Sequence, residues 1–131
     1  MKRFRPTESG GASAELVVAT PLLLLLIFGI VQFALWQHAS HIVEAAAQEG
    51  ARSARLQGGT VESGKTETYA FLNQLGPNLV LDPQVSVTRD NVSARVEVDA
   101  HVESVVPHLT LPVHAISSGP VERFVPQGST P

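Results

Sequence analysis

Apolar and polar positions change rhythm three times along this chain. Residues 16–36, "LVVATPLLLLLIFGIVQFALW", carry no formal charge over 21 positions. As a helix this run measures about 31 Å at ~1.5 Å per residue, close to a hydrocarbon core of ~30 Å. The pattern predicts a membrane span. With 131 residues in all, the chain has too little else to wrap such a helix on every side as a soluble core would. A secretory signal has a shorter apolar core of ~7–15 residues ending at a small-residue site, whereas this run leads into more helical sequence.

The second rhythm begins at residue 37. "QHASHIVEAAAQEGARSARLQ" is rich in alanine, the best helix former. Ala39, Val43, Ala46, Ala47, Gly50 and Ala54 recur at spacings of three and four and form one narrow stripe. His38, His41, Glu44, Gln48, Arg52 and Arg55 fall mostly elsewhere, and Glu49 stands three residues from Arg52, in reach of a weak surface pair. The spacing predicts one long helix from about residue 14 to residue 55, greasy in its first half and amphipathic in its second, ended by "GGT" at 58–60. A short helix over 62–75 follows, with Tyr69, Phe71, Leu72 and Leu75 as its apolar side and "GPN" from Gly76 closing it.

The third rhythm is alternation. Val85 and Val87 alternate with polar residues, Asp90-Asn91 marks a turn, and Val92, Ala94, Val96, Val98, Ala100 and Val102 take every second place. Period two over that length predicts half-buried antiparallel strands joined as a hairpin. Pro107 breaks the run. Leu109, Leu111, Val113 and Ala115 alternate again as a third strand, which Pro112 marks as an edge. The expected fold class is therefore membrane-anchored α+β: a long N-terminal helix reaching into a small outer domain of one helix and about three antiparallel strands. Its segments are a basic leader (1–10), the span with its extension (11–57), the outer domain (58–120) and a loose Pro- and Gly-bearing tail (121–131). So small a domain is marginal by itself and gains from resting on the long helix or on a neighbour.

Charge fixes an expected orientation. Lys2, Arg3 and Arg5 crowd the N-terminal side, and residues 37–48 contain no Lys or Arg. The positive-inside rule then places the N-terminus in the cytoplasm and the outer domain outside it. The absence of cysteine excludes a lipid-anchored lipoprotein, a disulfide framework and a thiolate metal site. A net charge of −3 with scattered basic residues gives no nucleic-acid footprint.

Candidate chemistry is sparse. Among five histidines, His38 and His41 stand three apart on the helix, but the sequence places no third metal ligand beside them. His101 and Glu103 fall on one strand face, the solvated one. Ser104, His108 and a distant aspartate form no triad signature. No phosphate loop, paired-acid site or zinc motif appears, so neither an enzyme, a cofactor, a metal nor a small-molecule substrate is expected.

Glu15 is the residue that asks for an explanation, since it sits at the threshold of the apolar run. One reading places it among lipid headgroups, favoured by the helix N-terminus. The other rests on Gly10 and Gly11. A cut after Gly10 would make Glu15 the fifth residue and expose an α-amino group that is cationic near neutral pH. It would remove three basic residues and one acidic residue, taking the net charge from −3 to −5, and leave one amine and one carboxylate to pair within or between subunits.

A short basic leader, a glycine, four residues, a glutamate and then a hydrophobic helix resemble a type IV prepilin N-terminus. The continuation "AELVVATPLLLLLIFGIVQFALW…AAAQEGARSAR" is similar to TadE-like proteins, pseudopilin-like components of tight-adherence (Tad, Flp-type) pilus machines. Pro21 six residues after Glu15, Gly29 with Phe33, "EGAR" at Glu49 to Arg52 and "LP" at Leu111-Pro112 carry that resemblance. Leu16 and Gln32 depart from it, standing where aromatic and acidic residues are common, and cleavage after Gly11 is a second register. The resemblance implies a minor pilin or pseudopilin of the bacterial cytoplasmic membrane, cut by a prepilin peptidase beside Gly10 and Gly11. Glu15 would serve assembly, and the helix would pack on other pilin-like or Tad apparatus proteins. The small-residue stripe fits helix packing between subunits, and equally well a cushion for the protein's own outer domain. Thr20 and Gln32 could hydrogen-bond across helices. The alternatives are a signal-anchored extracytoplasmic binding module without a pilus role, and a secreted soluble domain.

Overall fold

A computed structural model describes residues 9–125 and 128; most of the basic leader and the end of the tail lie outside the described residues. Five elements follow one another: α1 (Ser9–Arg55), α2 (Val61–Leu75), β1 (Val80–Arg89), β2 (Ser93–Val102) and β3 (Leu111–Pro120). They are the elements the sequence patterns predict; the ends at Arg55, Leu75 and Val102 fall where expected, and other boundaries shift.

At 47 residues, α1 is roughly 70 Å long at ~1.5 Å per residue. It begins at Ser9, ahead of the expected start near residue 14, and runs through Pro21 unbroken. Gly58, in the left-handed region at φ 79°, turns the chain away after the last helical turn, and the Gly59 N–H donates to Leu56 O. Thr60 then caps α2, which starts at Val61, one residue before the expected position. Its Oγ1 accepts from Ser63 N at 3.0 Å and its N–H donates to Ser63 Oγ at 2.9 Å, a reciprocal cap that satisfies two otherwise orphaned donors.

The strands form one antiparallel sheet in the order β1-β2-β3. β2 turns Ala94, Val96, Val98, Ala100 and Val102 inward and Arg95, Asp99 and His101 outward, as the alternation predicts. Val92 keeps the parity but lies in the turn and is exposed. β1 is longer than its clear signal because its period slips: Val80 and Val85 are both buried although five residues apart. The pairing with β2 shifts between Leu81 and Gln84, where Asp82 takes φ 48°, and that bulge changes the inward phase. β3 starts at Leu111, not Leu109, and continues to Pro120, five residues beyond the alternating run. Past Ala115 its apolar residue, Ile116, faces out while Ser117 and Gly119 face in, which inverts the pattern that marks a strand. β3 is a sheet edge, as Pro112 indicates.

Both helices lie on one face of the sheet. The core is the inner face of the three strands closed over α1 and, at the β1 side, over α2 through Thr68 and Leu72. The first residues of the expected loose tail belong to this body. Val121 N donates to Val92 O, Glu122 N to Arg55 O, and the Arg123 guanidinium to Asn91 O through Nε and Nη2 at 3.2 and 2.6 Å.

Candidate functional site

The site-bearing element is α1, and its two halves live in different surroundings. Every Leu, Val, Ile and Phe from Leu16 to Phe33 is at least 40% exposed. The helix is long and apolar enough to cross a membrane, with one such helix among the described residues. In the second half, Ala39, Val43, Ala46, Ala47 and Ala54 have no exposed surface, and Gly50 is buried.

What covers that stripe is the protein's own domain, so of its two readings the structure realises the intramolecular one. Ala39 to Ala54 lie under β2, β3 and α2 and offer nothing to a second subunit. At Gly50, α1 and α2 approach each other closely. A Cβ there would collide with Thr68 Oγ1 and come within 2.9 Å of Gly64 O. Gly64 answers from α2, where a Cβ would sit 2.9 Å from the Ala54 methyl and 3.0 Å from Gly50 O. Neighbouring residues of "EGAR" divide the work: Ala51 enters the core, while Arg52 stays outside at 4.0 Å from Glu49.

The end of α1 is held by side chains and backbone together. Arg89 Nε donates to Ala54 O at 2.8 Å and Glu122 N to Arg55 O at 2.9 Å, satisfying two carbonyls that a helix terminus leaves open. Arg55 extends over Gly119 of β3, where a Cβ would run into its guanidinium.

A second clamp lies 23 residues earlier, at Gln32, which is only 5% exposed. Its Oε1 accepts from Val105 N at 2.9 Å and lies 3.0 Å from Ser104 Oγ, and its Nε2 donates to Glu103 O at 3.4 Å. The amide thus ties the apolar helix to the β2–β3 connection, within one chain and not across helices. One turn on, Trp36 Nε1 donates to Pro112 O at 3.2 Å, which gives the "LP" dipeptide a partner, and Phe33 packs against Trp36 with ring centroids 6.1 Å apart. Ser104 is used up locally: its hydroxyl also lies 2.9 Å from Val106 O and accepts from Val106 N. Gln32 drew notice in the sequence as a polar residue in a span, but nothing there named its partner. A lone uncharged amide near the exit of an apolar run, with a Ser-Val-Val-Pro turn far along the chain, is the signal that was available.

Gly10, Gly11 and Glu15 lie in the first turns of α1, exposed, with open space where a Cβ would stand on either glycine. Glu15 forms no ion pair with any described residue.

The histidines distribute themselves differently from the sequence pattern. His38 and His41 are exposed, and His41 Nε2 lies 3.0 Å from Gln37 Nε2. The three potential ligands that do come together among the described residues are Glu97, Asp99 and His114, on the outer face of the sheet. His114 turns Nδ1 to Asp99 Oδ1 at 2.6 Å and Nε2 toward Glu97 Oε1 at 3.8 Å. The two nitrogens of the imidazole face different carboxylates, which makes a polar ladder across β2 and β3, extended by Arg95 at 3.6 Å from Glu97. Near the hairpin turn, Asp90 Oδ1 accepts from Ser93 N and Val92 N at 2.7 Å each. Those bonds, Ser93's first, hold its carboxyl below the ordinary 3.8.

No curated protein and no solved structure matches this chain. The family model described as TadE-like protein matches residues 10–52, which takes in the exposed apolar half of α1, the Gln32 and Trp36 contacts and the "EGAR" crossing, so this helix carries the pattern of the TadE-like family.

Proposed function

We propose that this protein is a non-enzymatic, single-pass membrane component of a tight-adherence pilus assembly system, acting as a minor pilin or pseudopilin. The observation that carries the reading is the TadE-like match over residues 10–52 on a helix whose apolar first half has no protein around it. Its N-terminus faces the cytoplasm, by the Lys2, Arg3 and Arg5 asymmetry, and the outer domain faces away from it. A prepilin peptidase cuts after Gly10, and Glu15 pairs with the new Gly11 amine within or between subunits. The surface that meets other pilin-like subunits is the exposed half of α1, since the Ala39–Ala54 stripe is occupied inside the chain.

Intact mass and N-terminal sequencing of the protein recovered from membranes test this directly. A start at Gly11 is expected, together with loss of a Glu15→Ala variant from sheared pili while it stays in the membrane. A start at Met1, with no pilus components co-purifying, moves the assignment to a signal-anchored extracytoplasmic module.

A further inference from the structure

The connection between β2 and β3 is an apolar loop with an unusual amount of internal fixing. The connection opens with the exposed Glu103; after it, residues 104–111, "SVVPHLTL", contain no Lys, Arg, Asp or Glu. Val105 and Leu109 are 43% and 39% exposed, and Pro107 is exposed at the tip. The loop is nevertheless rigidly built. Leu109 N donates to Val106 O across a turn with Pro107 at its second position and His108 at φ 62°. Ser104 bonds both ends of its own neighbourhood, and Gln32 holds Val105 N. Val106, Leu109 and Leu111 line one side of a shallow apolar groove whose other side is Gly29, Phe33 and Trp36 of α1.

Its height along α1 identifies what it meets. From Leu16, just beyond Glu15, to Val31, just before Gln32, there are 16 residues, about 24 Å of helix at ~1.5 Å each. That falls short of a ~30 Å hydrocarbon core by about one helical turn. The missing turn is the one that carries Gln32, Phe33 and Leu35 and ends at Trp36, so the bilayer boundary reaches the level at which the loop is bonded. Glu103, whose carbonyl accepts from Gln32, marks the start of the loop at that level; the residues after it carry no formal charge and, beside a Trp and a Phe, have the composition of an interfacial anchor.

We propose that the 104–111 loop is a second membrane contact, with Val105, Pro107 and Leu109 inserted at the headgroup–acyl boundary of the bilayer that α1 crosses. The inference rests on α1 being a membrane span. Because the loop is preformed, inserting it orders nothing new, and the outer domain stands on the membrane by the end that holds Gln32, with the Asp90 turn at the opposite end of β2 held away from the bilayer.

The chain contains no cysteine, so single-cysteine variants of the full protein report single positions. Val105→Cys, Leu109→Cys, Asn91→Cys and Leu25→Cys are each labelled with an environment-sensitive fluorophore. The proteins are reconstituted in phosphatidylcholine vesicles, with and without nitroxide-bearing lipid. Labels at 105 and 109 are expected to emit to the blue of the label at 91 and to be quenched by lipid nitroxide, shallowly placed relative to the label at 25. If 105 and 109 behave like 91 while 25 is lipid-buried, the loop proposal fails and the span stands. If 25 is itself aqueous, the span fails and takes the proposal with it. Blue emission at 105 without lipid quenching assigns the loop to a contact between protein copies and also overturns it.

Discussion

The two halves of α1 are one continuous helix with two opposite kinds of surface. In the first, bulky Leu, Val, Ile and Phe cover all sides, and none is less than 40% exposed. In the second, the side chains that touch the domain shrink mostly to Ala and Gly, and Ala39, Val43, Ala46, Ala47 and Ala54 are completely buried. The inversion is physical. Lipid asks only that the surface be apolar, and large side chains supply that at every angle. A sheet and a second helix ask for close approach, which small residues permit and large ones prevent. Hydrophobicity and burial therefore run in opposite directions along the same rod.

Substitutions that exchange the demands of the two halves should separate them. Leu25→Arg, in the middle of the exposed run, should have the largest effect, roughly 3–4 kcal/mol against membrane insertion. The carbonate-resistant membrane fraction should fall while the outer domain retains its protease resistance; loss of that resistance would mean the halves are not independent. Gly50→Leu should do the reverse. It forces a side chain between α1 and the Gly64–Thr68 segment of α2, at a cost of about 1–3 kcal/mol or more. Urea unfolding of the outer domain in detergent should shift to lower midpoint with membrane retention unchanged.

At the junction, Gln32→Met keeps the volume but leaves Val105 N–H without its acceptor, a loss of about 1–2 kcal/mol. Faster amide exchange confined to residues 103–109 is the expected reading, and uniform acceleration across the sheet would show that Gln32 serves the whole fold. The smallest effect belongs to a residue remote from both halves. Asp90's folded pKa lies below its unfolded value, so its contribution is complete above 3.8 and is lost as pH falls through the lower folded value. Asp90→Asn should remove that acid-side part of the profile, measured as the difference in thermal midpoint between the two proteins from pH 7 downward.

Much of this architecture was legible because its periods are clean. The uncharged 16–36 run, the three- and four-residue spacing from Ala39 to Ala54 and the alternation from Ala94 to Val102 each name one element and its buried side. What escaped was irregular for identifiable reasons. The slip at Asp82 hides Val80 from a period-two reading, and the polarity reversal after Ala115 hides the second half of β3. The stripe's partner was ambiguous because small residues look the same to a foreign helix as to the chain's own sheet. Gln32 escaped most fully. Its chemistry was visible, but its partners lie 71 to 73 residues away, at a separation no local pattern encodes.

The two clamps on α1 have a mechanical consequence. Between Gln32, tied to the β2–β3 loop, and Arg55, tied through Glu122, the sheet splints about 34 Å of helix at ~1.5 Å per residue. That stretch has no hinge. The outer domain and that stretch of α1 therefore form one body, so that any tilt of the helix there is equally a tilt of the sheet bonded to it.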